Sequence, residues 1–232
     1  MVVTLLVYLL RIIYVINDFL KTHQDYMSLD VFLKNHGFYN FEGYSQEIDE
    51  QVTDLISLTS KPNIRMMEIG FNAGHSAEVF LKNNPTLDLT SFDLGVHDYL
   101  STGKDYIDIL YPNRHTLILG DSTITVPKFA SENKGITFDV IFIDGGHSYN
   151  IATADILNCK NLAHKDTIVI MDDTSYRDDC RIDYLIDVTK AWKEQISKNL
   201  IYQIDTRHYN IARGMSWGKY ITVSSSSHSS SN

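Results

Sequence analysis

The chain has 232 residues, of which 44% are hydrophobic and 21% charged, and it carries a formal charge of −9. That length suits one substantial α/β domain with a full core, and the composition excludes a collagen-like or wholly disordered chain. With 20 Lys and Arg against 29 Asp and Glu, there is no overall basic footprint of the kind that phosphate backbones select, so a nucleic-acid partner is not expected.

The first stretch, residues 2–16, is almost wholly apolar, broken by Thr4 and Arg11, and the apolar character resumes at Phe19 and Leu20. A spanning helix needs roughly 20 predominantly apolar residues, and a secretory signal needs a basic start and a small-residue cleavage site. Neither pattern is met cleanly. Residues 1–26 are therefore set apart as an anchor, a packed helix or an extension upstream of Met27, and membrane contact through residues 1–20 stays open. Residues 27–223 are expected to form the domain. Residues 21–44, rich in aromatics, fit no regular period and are placed as a cap over the domain's open end. The serine-rich residues 224–232 can bury nothing and read as a disordered tail. Cys159 and Cys180 form no CxxC pair, which points to a reducing cytoplasm.

From residue 45 onward, short apolar runs alternate with helical patterns, the signature of parallel strands joined by crossover helices. Strands are predicted over 64–69, 87–93, 115–119, 138–144 and 167–172. Helices are predicted over 76–81, 99–110, 122–132, 149–161 and 182–196. Residues 200–205 and 214–223 close the domain as a hairpin through 206–213. The expected fold is α/β and doubly wound, a Rossmann-like seven-stranded sheet, mostly parallel with a C-terminal antiparallel hairpin. In such sheets ligands bind beyond the carboxyl ends of the strands, and several of these strands end in a carboxylate.

The first strand runs into Glu68-Ile69-Gly70-Phe71-Asn72-Ala73-Gly74-His75-Ser76. Glycines there allow close backbone approach and unusual dihedrals. The same stretch also reads as a bare strand-to-helix turn, and it departs from the GxGxxG dinucleotide fingerprint. A nucleoside ligand is favoured by Asp93, about 20 residues on at the end of the next strand, where a carboxylate accepts from ribose hydroxyls. Asp121 and Ser122 follow the third strand at the expected adenine edge. Further on, Asp144-Gly145-Gly146-His147-Ser148-Tyr149 leaves the fourth strand, and Asp172-Asp173 ends the fifth. Three converging carboxylates offer hard oxygen donors suited to Mg²⁺, Mn²⁺ or Ca²⁺.

The turn at Glu68 to Gly74 and the Ser91-Phe92-Asp93-Leu94 run resemble the first and second motifs of class I S-adenosylmethionine-dependent methyltransferases. The resemblance covers residues 64 to 221. It implies cofactor contacts from Glu68, Gly70, Asn72, Gly74, Ser76, Asp93, Asp121, Ser122 and Asp144, with Ser76 at the place that holds the methionine carboxylate in the catechol O-methyltransferase branch. Asp144, Asp172 and Asp173 resemble the ligands of metal-dependent O-methyltransferases, implying Mg²⁺ or Mn²⁺. Where the catechol enzymes carry a lysine base, this chain has His147. The Asp-Gly-x-His-x-Tyr turn followed by Asp-Asp resembles instead the macrolide-sugar O-methyltransferases, in which that histidine is the base. The implied acceptor is a small-molecule hydroxyl, above all that of a sugar, handled by a homo-oligomer, with Tyr149, Tyr176, Arg177 and Arg181 on the acceptor side. A metal-dependent hydrolase and a non-catalytic interaction module that keeps the fold are the rival readings.

Overall fold

The computed structural model describes residues 27–42 and 45–221; the segments 1–26 and 224–232 discussed above lie outside them. No helix among the described residues is long and apolar enough to cross a membrane.

Apolar runs with no polar face fold as strands covered on both sides. β1 (Arg65–Ile69), β2 (Asp88–Asp93), β3 (His115–Leu119), β4 (Phe138–Ile143) and β5 (Ala163–Asp172) are joined in parallel, and β7 (Arg213–Tyr220) returns antiparallel between β5 and β6 (Ile201–Asn210). The order is β3-β2-β1-β4-β5-β7-β6. It reverses between β1 and β4, and that switch point is where such a sheet opens a crevice.

Successive strand residues point to opposite faces, which splits the core in two. Met66, Phe142 and Ile170 pack on one side with α1 (Leu29–Asn35), α2 (Asp49–Leu58), α3 (His75–Asn83) and α4 (Leu100–Leu110). Met67, Ile141 and Val169 pack on the other with α5 (Ser122–Glu132), α6 (Tyr149–Cys159) and α7 (Asp183–Ser197), whose Trp192 is fully buried.

Most boundaries fall within two residues of the sequence reading, but β5 starts at Ala163 rather than 167, α2 is not among the predicted helices, and two further segments differ. The segment 206–213, expected as a connector, is mostly strand: β6 runs to Asn210 and β7 starts at Arg213, leaving Ile211 and Ala212 as the turn. As an edge strand, β6 exposes polar residues such as Arg207 and His208, and their polarity hid its pairing. In the aromatic stretch 21–44, α1 is capped by Ser28, whose hydroxyl accepts from the Val31 amide, and buries Leu29 and Leu33.

α4 lies directly on the loop after β1. A Cβ on Gly103 would stand 2.1 Å from the Ala73 carbonyl oxygen, so only glycine permits that approach. Gly103→Ala is expected to cost about 2 to 3 kcal/mol through backbone overpacking, read as a lowered thermal unfolding midpoint; an unchanged midpoint would show that the contact relaxes freely.

Candidate active site

The ends of β1 and β4 meet at Gly70. Its φ is +99°, and an added Cβ would sit 1.9 Å from the Asp144 carbonyl oxygen. The Asp144 amide donates to the Ile69 carbonyl at 2.9 Å and the Gly70 amide to the Phe92 carbonyl at 2.7 Å, so three strand ends are drawn together. Asn72, at φ +52°, donates its amide to Asp93 Oδ2 at 2.8 Å, and the Gly95 amide donates to Asp93 Oδ1 at 2.8 Å. These two backbone donors fix the carboxylate with lone pairs left for a ligand.

Together these turns enclose a cavity of about 340 Å³. Of the residues expected around a cofactor, Gly70, Asn72, Asp93, Asp121, Ser122 and Asp144 line it. Glu68, Gly74 and Ser76 lie behind its wall. Glu68 is fully buried and accepts from Ser76 Oγ at 2.8 Å and from Ser91 Oγ at 2.6 Å. Ser91 Oγ also lies 2.7 Å from His115 Nε2. Burial pushes the Glu68 carboxyl up to about 7 against the opposing serine hydrogen bonds, and it drives the His115 imidazole down to about 4. Asp121 caps α5 by accepting from Thr123 N and Oγ1, and these bonds lower its pKa. Glu42 and His97, which belong to none of the motifs, line the same cavity.

At one rim stands the acidic turn. Asp144, His147 and Asp173 bring one ligand atom each within 4.8 Å of one another. His147 Nε2 is 3.1 Å from Asp173 Oδ2 and 3.8 Å from Asp144 Oδ1. Asp172, expected with them, is turned away: both its oxygens accept from Gln51 Nε2, at 2.8 and 3.0 Å. Asp173 adopts φ +56°, a strained choice for a non-glycine residue that places it in the crevice. Burial raises the carboxyls of Asp144 and Asp172, with the neighbouring aspartates adding to it at both. Hydrogen bonds to Asp144 and Asp173 lift the His147 imidazole to about 10. Arg213, which no motif flagged, sets Nη1 at 3.8 Å from Asp173 Oδ1. That oxygen is buried without a hydrogen-bond partner. Hard carboxylate donors, one of them unsatisfied, converge here in a set that fits a divalent cation.

The four residues expected on the acceptor side do not line the cavity. Tyr149 turns to α7, with its hydroxyl on Glu194. Tyr176 donates to Gln203 Oε1 at 2.6 Å. Arg177 pairs with Asp179, and Arg181 Nη1 donates to the carbonyls of Asp178 and Cys180. Tyr184 is the aromatic beside the histidine, its ring centroid 5.3 Å from that of His147.

Residues 67–174 match the model of a methyltransferase domain family. No curated protein matches the chain in sequence. Among solved structures it is similar to an O-methyltransferase from Bacillus cereus in complex with SAH, with 12% identity, TM-score 0.64, and 89% of this chain and 97% of that chain covered. It is also similar to TomG, an O-methyltransferase of tomaymycin synthesis from Streptomyces achromogenes in complex with SAM, at 11% identity, TM-score 0.63, covering 84% and 88%. A TDP-rhamnose 3'-O-methyltransferase of calicheamicin biosynthesis aligns at 18% identity, TM-score 0.55, over 74% and 80%. The strand order and closing hairpin are those of the class I methyltransferase fold.

The buried Glu68 makes stability depend on pH. Its pKa rises from 4.5 to about 7 on folding, so its favourable contribution is complete below 4.5 and is lost as pH climbs through 7. Relative to Glu68→Gln, which carries only a constant offset, the wild type should lose about 3 kcal/mol of unfolding free energy between pH 4.5 and 8. Denaturant titrations across that range test it, and parallel curves would place the carboxyl in a polar setting.

Proposed function

We propose that the chain is an S-adenosylmethionine-dependent O-methyltransferase that acts on a small-molecule hydroxyl, most specifically that of a sugar or glycoside, with the help of a divalent metal. One observation carries this reading: the cavity bounded by Gly70, Asn72 and Asp93 runs to a rim where Asp144, His147 and Asp173 converge. A nucleoside pocket and a proton-handling cluster thus share one space. The sugar acceptor is supported by the Asp-Gly-x-His-x-Tyr turn and by the likeness to a TDP-rhamnose methyltransferase.

In this reading Asp93 accepts from the ribose hydroxyls, held ready by the Asn72 and Gly95 amides. Asp121 and Ser122 border the base. S-adenosylmethionine supplies a methyl group on a positive sulfur, and the electron pair of the breaking carbon–sulfur bond stays on that sulfur while the acceptor oxygen takes the methyl. The cofactor carries its own driving force, so the chain's work is alignment. Asp144 and Asp173 would hold the cation, which when bound lowers the pKa of an acceptor hydroxyl. His147 takes the hydroxyl proton. Hydrogen bonds to the bare carboxylates of Asp144 and Asp173, and then their charge, favour its protonated form, and a cation held by the same two carboxylates would compete for those oxygens.

Incubation with labelled S-adenosylmethionine and a panel of free and nucleotide-linked sugars should yield methylated product with Mg²⁺ and none with EDTA. Full turnover in chelator would eliminate the metal. Product from a thiol or amine panel alone would eliminate the hydroxyl acceptor. His147→Ala should lower kcat by roughly 10²- to 10⁴-fold, the usual contribution of a general base, with the dissociation constant for S-adenosylhomocysteine little changed. Undiminished kcat in that variant would mean that another group or water takes the proton.

A further inference from the structure

Two side chains close the outer edge of the cofactor cavity from separate parts of the chain. Glu42 comes from the segment after α1, and His97 from the loop between β2 and α4. Both line the cavity, and Glu42 Oε2 lies 3.5 Å from His97 Nε2. Their position is built from below. The His97 ring stacks on Tyr99 with centroids 4.9 Å apart and planes 5° from parallel. Phe41, the residue before Glu42, meets Tyr99 edge-on at 5.7 Å, and Phe38 does so at 6.3 Å. Tyr99 in turn donates its hydroxyl to Asn72 Oδ1 at 2.7 Å, tying the stack to the cofactor turn.

The other carboxylates of the cavity already have local work. Asp93 accepts two backbone amides, Asp121 caps α5, and Asp144 belongs to the acidic cluster. Among the described residues the Glu42 carboxylate makes its ion pair with His97 across the mouth, and the side chain is 70% exposed. An ion pair that open contributes little to folding. Its charge does, however, face the space where a ligand must sit.

We propose that Glu42, steered over the mouth by His97, is a specificity-determining residue that favours the positively charged sulfonium cofactor over its neutral thioether product. The inference rests on the methyltransferase reading above. S-adenosylmethionine and S-adenosylhomocysteine differ by one methyl group and one unit of positive charge at sulfur. Shape discriminates poorly between them, and a nearby fixed negative charge discriminates well. A carboxylate lining the same partly wet cavity as the sulfonium should contribute about 3- to 10-fold in relative affinity. The consequence for turnover is direct: methyl transfer itself removes the charge that Glu42 attracts, so the contribution of Glu42 to binding is lost once the product forms.

Calorimetric titration of the full chain with each compound tests this. Glu42→Gln is expected to weaken S-adenosylmethionine by about 3- to 10-fold and S-adenosylhomocysteine by less than about twofold, with an unchanged thermal midpoint. His97→Ala should shift the ratio in the same direction. Raising the ionic strength should narrow the wild-type ratio towards that of the variant, because an exposed charge is screened. Equal weakening of both compounds would reduce Glu42 to a steric cover and overturn the proposal, as would unchanged binding of both. A wild-type chain that binds neither compound would instead overturn the methyltransferase reading on which the proposal stands.

Discussion

At the switch point of the sheet, the backbone of β1 passes the backbone of β4 with no room for a single methyl group. Gly70 sits where any side chain would strike the Asp144 carbonyl. That closeness keeps the glycine turn and the acidic turn in one crevice, although the two lie more than 70 residues apart in sequence. A wider spacing would separate the cavity at Gly70, Asn72 and Asp93 from the carboxylates, and neither half alone has an evident chemistry.

The second constraint is electrostatic. Burial disfavours the charged forms of Asp144 and Asp172, and the partners of the three aspartates divide between them. Asp172 takes the Gln51 amide from α2, Asp173 takes His147 and faces Arg213, and Asp144 shares His147. The cluster is therefore divided into one carboxylate that ties the cap to the sheet and two that face the crevice.

Much of this was legible in the sequence. The five parallel strands were visible because each is an apolar run ended by a polar turn, and β3 and α5 fall on the expected residues. The hairpin was legible in kind and wrong in extent, since β6 is an edge strand whose exposed residues look like a loop. The sequence also brought Glu68 and Ser76 to the cofactor's neighbourhood, but motif spacing carries no information on which way a side chain turns, and these two turn inward to each other. Gln51, Glu42, His97 and Arg213 gave no signal at all. Their places depend on tertiary contacts across 30 to more than 100 residues, as with Gln51 and Asp172, which are 121 residues apart.

The position of Arg213 bears on how the chain assembles during synthesis. β5 and its two aspartates leave the ribosome some 40 residues before the arginine that faces them, at the start of the last strand. Until β7 pairs with β5 at Val169 to Asp172, the nascent sheet carries an acidic edge without its guanidinium and an open hydrogen-bonding border beside it. The final hairpin therefore acts as a latch, and a ribosome-bound intermediate lacking it would be the form most exposed to chaperones and to mispairing.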